Sequence, residues 1–379
     1  MPLPTLRRHT LHTILSRTLG VLFAALVLGH AETAAAHEVT DVLGRKVEVA
    51  DTVKRVVLGE GRLISAFALL DKDAPFQRIV GWQNDLRLLD QHTYNAYVAK
   101  FPTVKDIPLT GQASEQSVSA EEILSLKPDL AVFSISGHGP TEHSPVADVL
   151  AKAGIPVVFV DFRINPVQGT HTSMTALGQA LGREAQAKAF LGFYDQHIKV
   201  ITDAVATLPA GPRPSVFLEL LAGVWQAPGH TTGKSGMGEL IALVGGRNIA
   251  AGVVPGALGD ISVEYVFKAD PDVYIATGNR KPGLILGAGV GADEAHEALD
   301  RVLARPEFAN LRALREGNAH GLWHDFYNSP YNLLAIESLA KWVHPELFAK
   351  LDPQATMNQI NAQFLGMPLQ GAYWIDTSK

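Results

Sequence analysis

The sequence of 379 residues contains no cysteine. That absence excludes a disulfide framework, cysteine-ligated zinc, iron–sulfur clusters and thiol catalysis. It also leaves no thiol to carry a lipid anchor. We therefore expect the mature chain to diffuse freely.

Long hydrophobic runs are scarce as well. The run at residues 19–28 is about half the ~20 residues needed to cross a bilayer. Three arginines precede it, and the alanines at residues 34–36 follow it, which is the pattern of a cleaved signal peptide. We predict cleavage near Ala36, a periplasmic location and no stable membrane insertion afterwards. The sequence leaves open whether the Sec or the Tat route exports the chain.

The chain has no excess of positive charge. It carries 32 basic and 38 acidic residues, a formal net charge of −6. Loss of residues 1–36, which hold three arginines and one glutamate, brings the charge to −8. This balance argues against nucleic acid or an anionic membrane as a partner. The roughly 340 residues that remain exceed the ceiling of about 250–300 for a single core, so we expect two domains.

Short apolar runs alternate with helical patterns through most of the chain. Strand-like runs lie at residues 55–58, 129–133, 156–160, 215–218 and 272–276. Such runs are typical of parallel strands covered by helices on both faces. The alternation predicts an α/β fold whose ligand lies at the carboxyl ends of the strands.

One long helical segment interrupts this alternation. Residues 182–208 contain no proline, and prolines follow directly at 209, 212 and 214, where they would end a helix. We predict a signal peptide (1–36), an N-terminal α/β lobe (37–181), an interdomain helix (182–208) and a C-terminal α/β lobe (209–379). A single helix of this length is a stiff tether that allows only small relative movements of the lobes.

The two predicted lobes share an internal repeat at residues 119–132 and 262–275. Each copy reads Ser-x-Glu, a short helical pattern, Pro-Asp and an apolar strand. The serine is a good N-cap, and the glutamate (Glu121 or Glu264) lies in the first turn, where the helix dipole favours it. Helix capping explains the composition of each copy, but not why both halves carry the same unit.

The chain resembles the substrate-binding proteins of ABC importers for iron–siderophores, haem and cobalamin. The resemblance covers nearly the whole mature chain and rests on the order and spacing of segments at residues 39–49, 54–57, 126–130, 154–158, 243–250, 270–273 and 338–348. It implies two Rossmann-like lobes with mainly parallel sheets, one long connecting helix and a ligand cleft between the lobes. It also implies that Glu121 and Glu264 contact arginines of an inner-membrane ABC permease. Plain helix-start acids are the alternative for both.

Polar and aromatic residues that follow the predicted strands are the candidate ligand-binding residues. Arginine forks and aromatic faces suit an anionic, aromatic-rich chelate. The candidates are Arg62, Trp82, His138, Arg163, Trp225, His230, Arg280, His324 and Tyr327. Each has a structural alternative: Arg62 can pair with Glu60, and the tryptophans can be core residues. His324 and Tyr327 could complete the shell of a ferric ion, and the sequence leaves direct metal ligation open.

We therefore predict a monomeric periplasmic binding protein that captures a metal chelate, first of all a ferric siderophore, and delivers it to an ABC permease. We expect no catalysis, because no acid–base or nucleophile set is apparent, and no cofactor other than the chelate itself. Haem, cobalamin and other metal complexes are the alternatives within this class. A periplasmic metal-dependent enzyme on the same scaffold and a signalling protein that presents its ligand to a receptor are the alternatives from other classes.

Overall fold

The structure is a computed structural model that describes residues 1, 35–225 and 227–377. Apart from residues 1, 35 and 36, the predicted signal peptide lies outside the described residues. A search of the described part of the chain finds no helix with both the length and the apolar character needed to cross a membrane.

The first large sheet has five parallel strands in the order β5-β4-β3-β6-β7. Its strands are β3 (Val56–Leu58), β4 (Ile79–Gln83), β5 (Leu109–Gly111), β6 (Leu130–Ser134) and β7 (Val157–Val160). Its helices are α1 (Ile64–Leu70), α2 (Asp85–Leu89), α3 (Gln91–Lys100), α4 (Ala120–Ser125), α5 (Pro145–Lys152) and α6 (Pro166–Leu181). Strands β3, β6 and β7 are buried along their whole length, as expected for a sheet covered on both faces. We call this part of the molecule the N-terminal lobe.

The second large sheet is mixed. Strands β8, β10, β12 and β13 run parallel, and β9, β11 and β14 pair antiparallel, in the order β11-β9-β8-β12-β13-β14 with β10 beside β8. The strands are β8 (Ser215–Glu219), β9 (His230–Thr232), β10 (Arg247–Asn248), β11 (Leu258–Asp260), β12 (Val273–Gly278), β13 (Ala319–Trp323) and β14 (Trp374–Asp376). The helices are α8 (Met237–Leu243), α9 (Val263–Ala269), α10 (Ala292–Leu303), α11 (Arg312–Arg315), α12 (Asn332–Val343) and α13 (Pro353–Phe364). We call this part the C-terminal lobe.

Smaller elements complete the described chain. Strands β1 (Ala36–Thr40) and β2 (Lys46–Ala50) form a separate two-stranded sheet. Short 3₁₀ helices lie at Gly61–Leu63, Pro102–Asp106, Glu115–Ser117 and His324–Asn328. The helix at Gly61–Leu63 comes shortly after β3, and the helix at His324–Asn328 directly follows β13. Both strands end between the two lobes.

Helix α7 (Glu184–Ala206) connects the two lobes. It begins at Glu184 because Gly182, with φ of +62°, ends α6 in a left-handed conformation that favours glycine. Its buried residues include Ala187, Phe190 and Tyr194, which recur at helical spacing and form one apolar face. The Tyr194 hydroxyl donates to Asn332 Oδ1 of the C-terminal lobe at 2.9 Å. The predicted class, two α/β lobes joined by one long helix, is confirmed.

The two copies of the sequence repeat have the same local structure. Ser119 caps α4 by accepting from the Glu122 backbone at 3.1 Å, and Ser262 caps α9 by accepting from the Tyr265 backbone at 3.2 Å. Glu121 and Glu264 both lie exposed in the first turn of their helices. The predicted capping is therefore confirmed, and each lobe presents one carboxylate at an equivalent position.

Candidate functional site

The candidate site lies where strands of both sheets end. Glu60 follows β3 and Arg163 follows β7 in the N-terminal lobe, whereas Asn279 follows β12 and Asp325 follows β13 in the C-terminal lobe. Parallel strands bring their carboxyl ends to one edge of a sheet, which is the usual ligand position in α/β folds. All four side chains are buried, and we call them and the residues bonded to them the buried cluster.

Arg62 is the centre of the buried cluster. Its guanidinium forms ion pairs with Glu60 (Nη2–Oε2, 3.1 Å), Asp85 (Nε–Oδ2, 2.9 Å) and Asp325 (Nη1–Oδ1, 2.8 Å). Asp325 belongs to the other lobe and also accepts from Asn279 Nδ2 at 2.7 Å. The Arg62–Asp325 pair therefore connects the two lobes through fully charged, buried groups.

Arg163 is the second buried guanidinium. Its Nη2 donates to Glu60 Oε2 at 3.1 Å, and its Cζ lies 4.9 Å from the centre of the Tyr327 ring in the C-terminal lobe. Gly137 makes room for this pair, since a Cβ at that position would collide with the Arg163 guanidinium and the Glu60 carboxylate. The glycine thus has a steric role that a larger residue could not fill.

Burial and neighbouring charges shift the pKa values of two carboxyl groups in the buried cluster in opposite directions. Burial alone would raise the pKa of Glu60, but the charges of Arg163 and Arg62 outweigh it and lower the pKa to about 2. Burial raises the pKa of Asp85 to about 6, against the opposing effect of Arg62. Glu60 is therefore ionised at neutral pH and is the carboxylate that both arginines share.

Two histidines flank the buried cluster in neutral form. Burial lowers the pKa of His324 to about 3, so the imidazole carries no charge at neutral pH. Its Nδ1 lies 2.9 Å from Thr277 Oγ1, and its ring centre lies 4.5 Å from that of Tyr327. Burial and the charge of Arg62 also lower the pKa of His138, whose backbone N–H donates to Glu60 Oε1 at 3.0 Å.

Six of the nine ligand-binding candidates meet in or beside the buried cluster. They are Arg62, His138, Arg163, Arg280, His324 and Tyr327. Arg280 is half-buried and donates to Asn279 Oδ1 at 3.0 Å. We call the expectation that ligand-binding residues follow the ends of parallel strands the strand-end rule. This rule located most of the cluster, although the ligand-binding role of each residue stays a prediction.

The structure places the other three candidates elsewhere. Trp82 is buried in the core of the N-terminal lobe, edge-on to Phe76 with ring centres 5.7 Å apart. Trp225 is 51 % exposed and lies edge-on to His230 at 5.8 Å. His230 in turn has its Nδ1 3.0 Å from Asp260 Oδ1. A core position for Trp82 was the structural alternative, and the apolar surroundings of β4 explain it.

Three further polar residues of this region were not among the nine ligand-binding candidates. Asp85 follows the end of β4 and pairs with Arg62, so the same strand-end rule could have located it. Asn328 donates to Glu60 Oε2 at 3.4 Å across the two lobes. Asp90 is buried at the start of α3. The sequence could have predicted its N-cap position but not its burial near the cluster.

The described residues contain no group of three or more His, Cys, Asp or Glu side chains placed to hold a metal ion. The polar groups that meet between the lobes are mainly guanidinium, carboxylate and amide groups. Their chemistry suits recognition of a charged, oxygen-rich solute by hydrogen bonds.

Comparisons with known proteins agree with this fold. A family described as periplasmic binding protein matches residues 76–322. The Fe(3+)-citrate-binding protein YfmC of Bacillus subtilis is 25% identical over 246 residues, which are 64% of this chain and 69% of the relative. The molybdate-binding protein MolA of Haemophilus influenzae is 22% identical over 358 residues, 86% of this chain and 90% of the relative. The crystal structure of the TroA-like periplasmic binding protein FepB from Veillonella parvula has a TM-score of 0.79 at 23% identity, covering 90% of this chain and 99% of that one.

Proposed function

The chain belongs to the periplasmic binding protein family, and on that premise we propose that it captures an anionic metal chelate between its lobes and delivers it to an inner-membrane ABC permease. A ferric siderophore or a related ferric chelate is the leading ligand. The relatives and the similar structure named above are solute-binding proteins, so the alternative of a periplasmic enzyme gains no support from them.

The convergence of three guanidinium groups between the lobes carries this proposal. Arg62 and Arg163 are buried and Arg280 is half-buried. Planar guanidinium forks bind carboxylate and catecholate oxygens in bidentate fashion. The iron-citrate ligand of one relative belongs to this chemical class.

An anionic ligand would bind by exchange with an internal carboxylate. Asp325 of the C-terminal lobe occupies Nη1 of Arg62 from the N-terminal lobe. A ligand oxygen that enters between the lobes takes the place of Asp325 at this guanidinium, while Glu60 and Asp85 keep Arg62 oriented. Neutral His324 and the Tyr327 hydroxyl lie at the same place and can hydrogen-bond the ligand.

A small oxyanion is the second candidate ligand. The molybdate-binding relative matches this chain over most of both lengths, and two adjacent guanidinium groups also suit a tetrahedral oxyanion. Haem and cobalamin are the remaining alternatives within the family.

A ligand panel distinguishes these candidates. Purified mature protein would be titrated with ferric citrate, ferric catecholate and hydroxamate siderophores, haemin, cobalamin, molybdate and free divalent metals. Intrinsic fluorescence is a suitable readout because Trp323 directly precedes His324, and calorimetry checks it. Tight binding of a ferric chelate alone supports the proposal. Binding of molybdate alone selects the second candidate, and no binding of any member of the panel overturns both.

Replacement of Arg163 tests the guanidinium chemistry. We expect Arg163→Met to weaken the binding of the ferric chelate about 10–100-fold, because one charge-assisted hydrogen bond contributes about 1.5–3 kcal/mol. Arg163→Lys keeps the positive charge but not the planar guanidinium group. Its affinity for the chelate should lie between those of the parent protein and Arg163→Met. Arg301→Met removes an exposed arginine from α10 and serves as the control. Equal affinities of Arg163→Met and the control, with both proteins folded by circular dichroism, would show that Arg163 does not hold the ligand.

A further inference from the structure

Asp325 differs from the other two carboxylates that pair with Arg62, because it comes from the opposite lobe. Glu60 precedes Arg62 by two residues and Asp85 lies on α2, so both belong to the N-terminal lobe. Asp325 lies in the 3₁₀ helix after β13 of the C-terminal lobe, with Oδ1 2.8 Å from Arg62 Nη1. Of these three ion pairs, the Arg62–Asp325 pair is therefore the one that a separation of the lobes must break.

The C-terminal lobe itself holds the Asp325 carboxylate in place. Asp325 Oδ2 accepts from Asn279 Nδ2 at 2.7 Å, and Asn279 Oδ1 accepts from Arg280 Nη1 at 3.0 Å. Asp325 is 3 % exposed and Asn279 is fully buried. The position of the carboxylate is thus fixed from its own lobe as well as by Arg62.

Asp325 carries a negative charge at this position. Burial alone would raise the pKa of Asp325, but the charge of Arg62 outweighs burial and holds the pKa below its ordinary value. The ionised side chain presents to the guanidinium the same charge and the same kind of oxygen as a carboxylate of a chelate would.

We infer that Asp325 is an internal competitor of the ligand. It occupies the edge of the Arg62 guanidinium that a ligand oxygen needs, and it thereby sets an affinity threshold that only a solute with anionic oxygens of its own passes. This inference rests on the proposed function and narrows its ligand class from chelates in general to anionic chelates.

The threshold follows from the charges that remain after exchange. A neutral solute that displaced Asp325 would leave Nη1 of Arg62 without a negative partner in a buried site, which is costly. An anionic oxygen replaces the lost ion pair by a new one. Ferric citrate and ferric catecholates therefore pass the threshold. A ferric trishydroxamate, whose three ligand charges only balance the metal, does not.

Replacement of Asp325 by asparagine tests the competitor. Asparagine keeps the size of the side chain and a hydrogen-bond acceptor for Arg62, but it removes the charge. We expect Asp325→Asn to bind ferric citrate or the ferric catecholate, whichever the parent protein binds, about tenfold or more tightly, because no internal ion pair has to be broken first. Binding of the ferric trishydroxamate should become measurable in this variant.

The matched control is Asp300→Asn, which removes the same charge from an exposed aspartate of α10 in the same lobe. Its affinity should equal that of the parent protein. An unchanged or weaker affinity of Asp325→Asn, with the variant folded by circular dichroism, would overturn the inference, since Asp325 would then support the ligand and not compete with it.

Binding kinetics test the same inference on the parent protein. Stopped-flow fluorescence of Trp323, two residues before Asp325, would follow the association of the ferric chelate. The observed rate should level off as the chelate concentration rises, because the departure of Asp325 from Arg62 then limits it. Asp325→Asn should raise this plateau. A rate that rises linearly in the parent protein, or an equal plateau in both proteins, would contradict the competitor.

The same titrations keep this inference apart from the proposed function. Chelate binding by the parent protein without tighter binding by Asp325→Asn would refute only the competitor. No binding of any member of the ligand panel by either protein would refute the proposed function, and the competitor with it.

Discussion

Replacement of Arg62 by methionine is expected to lower the free energy of unfolding by about 3–5 kcal/mol. The change leaves three buried carboxyl groups, those of Glu60, Asp85 and Asp325, without the guanidinium that pairs with all of them. Methionine fills a similar apolar volume, so the loss reports on the unpaired charges more than on a cavity. Urea unfolding monitored by circular dichroism measures this change in the free energy of unfolding.

The matched control is Arg87→Met, which removes an exposed arginine from α2 of the same lobe. We expect this variant to stay within about 0.5 kcal/mol of the parent protein. A value for Arg62→Met within 1 kcal/mol of the control would show that the buried cluster does not hold the lobes together. In addition, Asp325→Asn should cost less stability in the Arg62→Met background than in the parent, because its charged partner is already gone.

Reversal of both repeat glutamates, Glu121→Arg with Glu264→Arg, is expected to abolish import while ligand affinity stays within about twofold. Each glutamate is exposed in the first turn of its capped helix, one on each lobe. The family resemblance pairs these carboxylates with arginines of the permease, and reversal replaces two charge-assisted bonds by repulsion. Cellular uptake of the labelled chelate measures delivery, and titration of the purified protein measures capture.

Two other exposed acids, one on each lobe, provide the controls. Glu122→Arg changes the next residue of α4, and Glu297→Arg changes an acid on α10 of the C-terminal lobe. These reversals alter the net charge of the protein by the same amount but should leave import largely intact. Import that is lost equally in both pairs would show a general effect of charge and would remove the special role of Glu121 and Glu264. A parallel loss of ligand affinity would show that the glutamates support the cleft and not the docking.

Local patterns were sufficient to predict much of the fold. The apolar runs at residues 129–133 and 156–160 became β6 and β7, because uninterrupted β-branched and aromatic residues suit strands buried on both faces. Ser119 and Ser262 are N-caps, since the preference for serine at that position depends on only three neighbouring residues. The C-terminal sheet is more mixed than expected, because β9, β11 and β14 pair antiparallel toward its two ends.

The site was predictable only in part. The rule that ligands lie after parallel strands located Arg62 and Arg163 correctly at the junction of the lobes. The same rule also selected Trp82, which turns into the core next to Phe76. Alternate residues of a strand point to opposite faces, and nothing in a short apolar run says which face meets the cleft.

The sequence by itself determined the α/β class, the long connecting helix and the repeated Ser-x-Glu unit, because each depends on residues that are close neighbours in the chain. Only the tertiary structure decided which charges meet. Arg62 and Asp325 are 263 positions apart, and Glu60 and Asn328 are 268 positions apart. Ion pairs and hydrogen bonds of this kind depend on how the two lobes pack, and that packing arises from the summed burial of the whole chain and not from any local pattern.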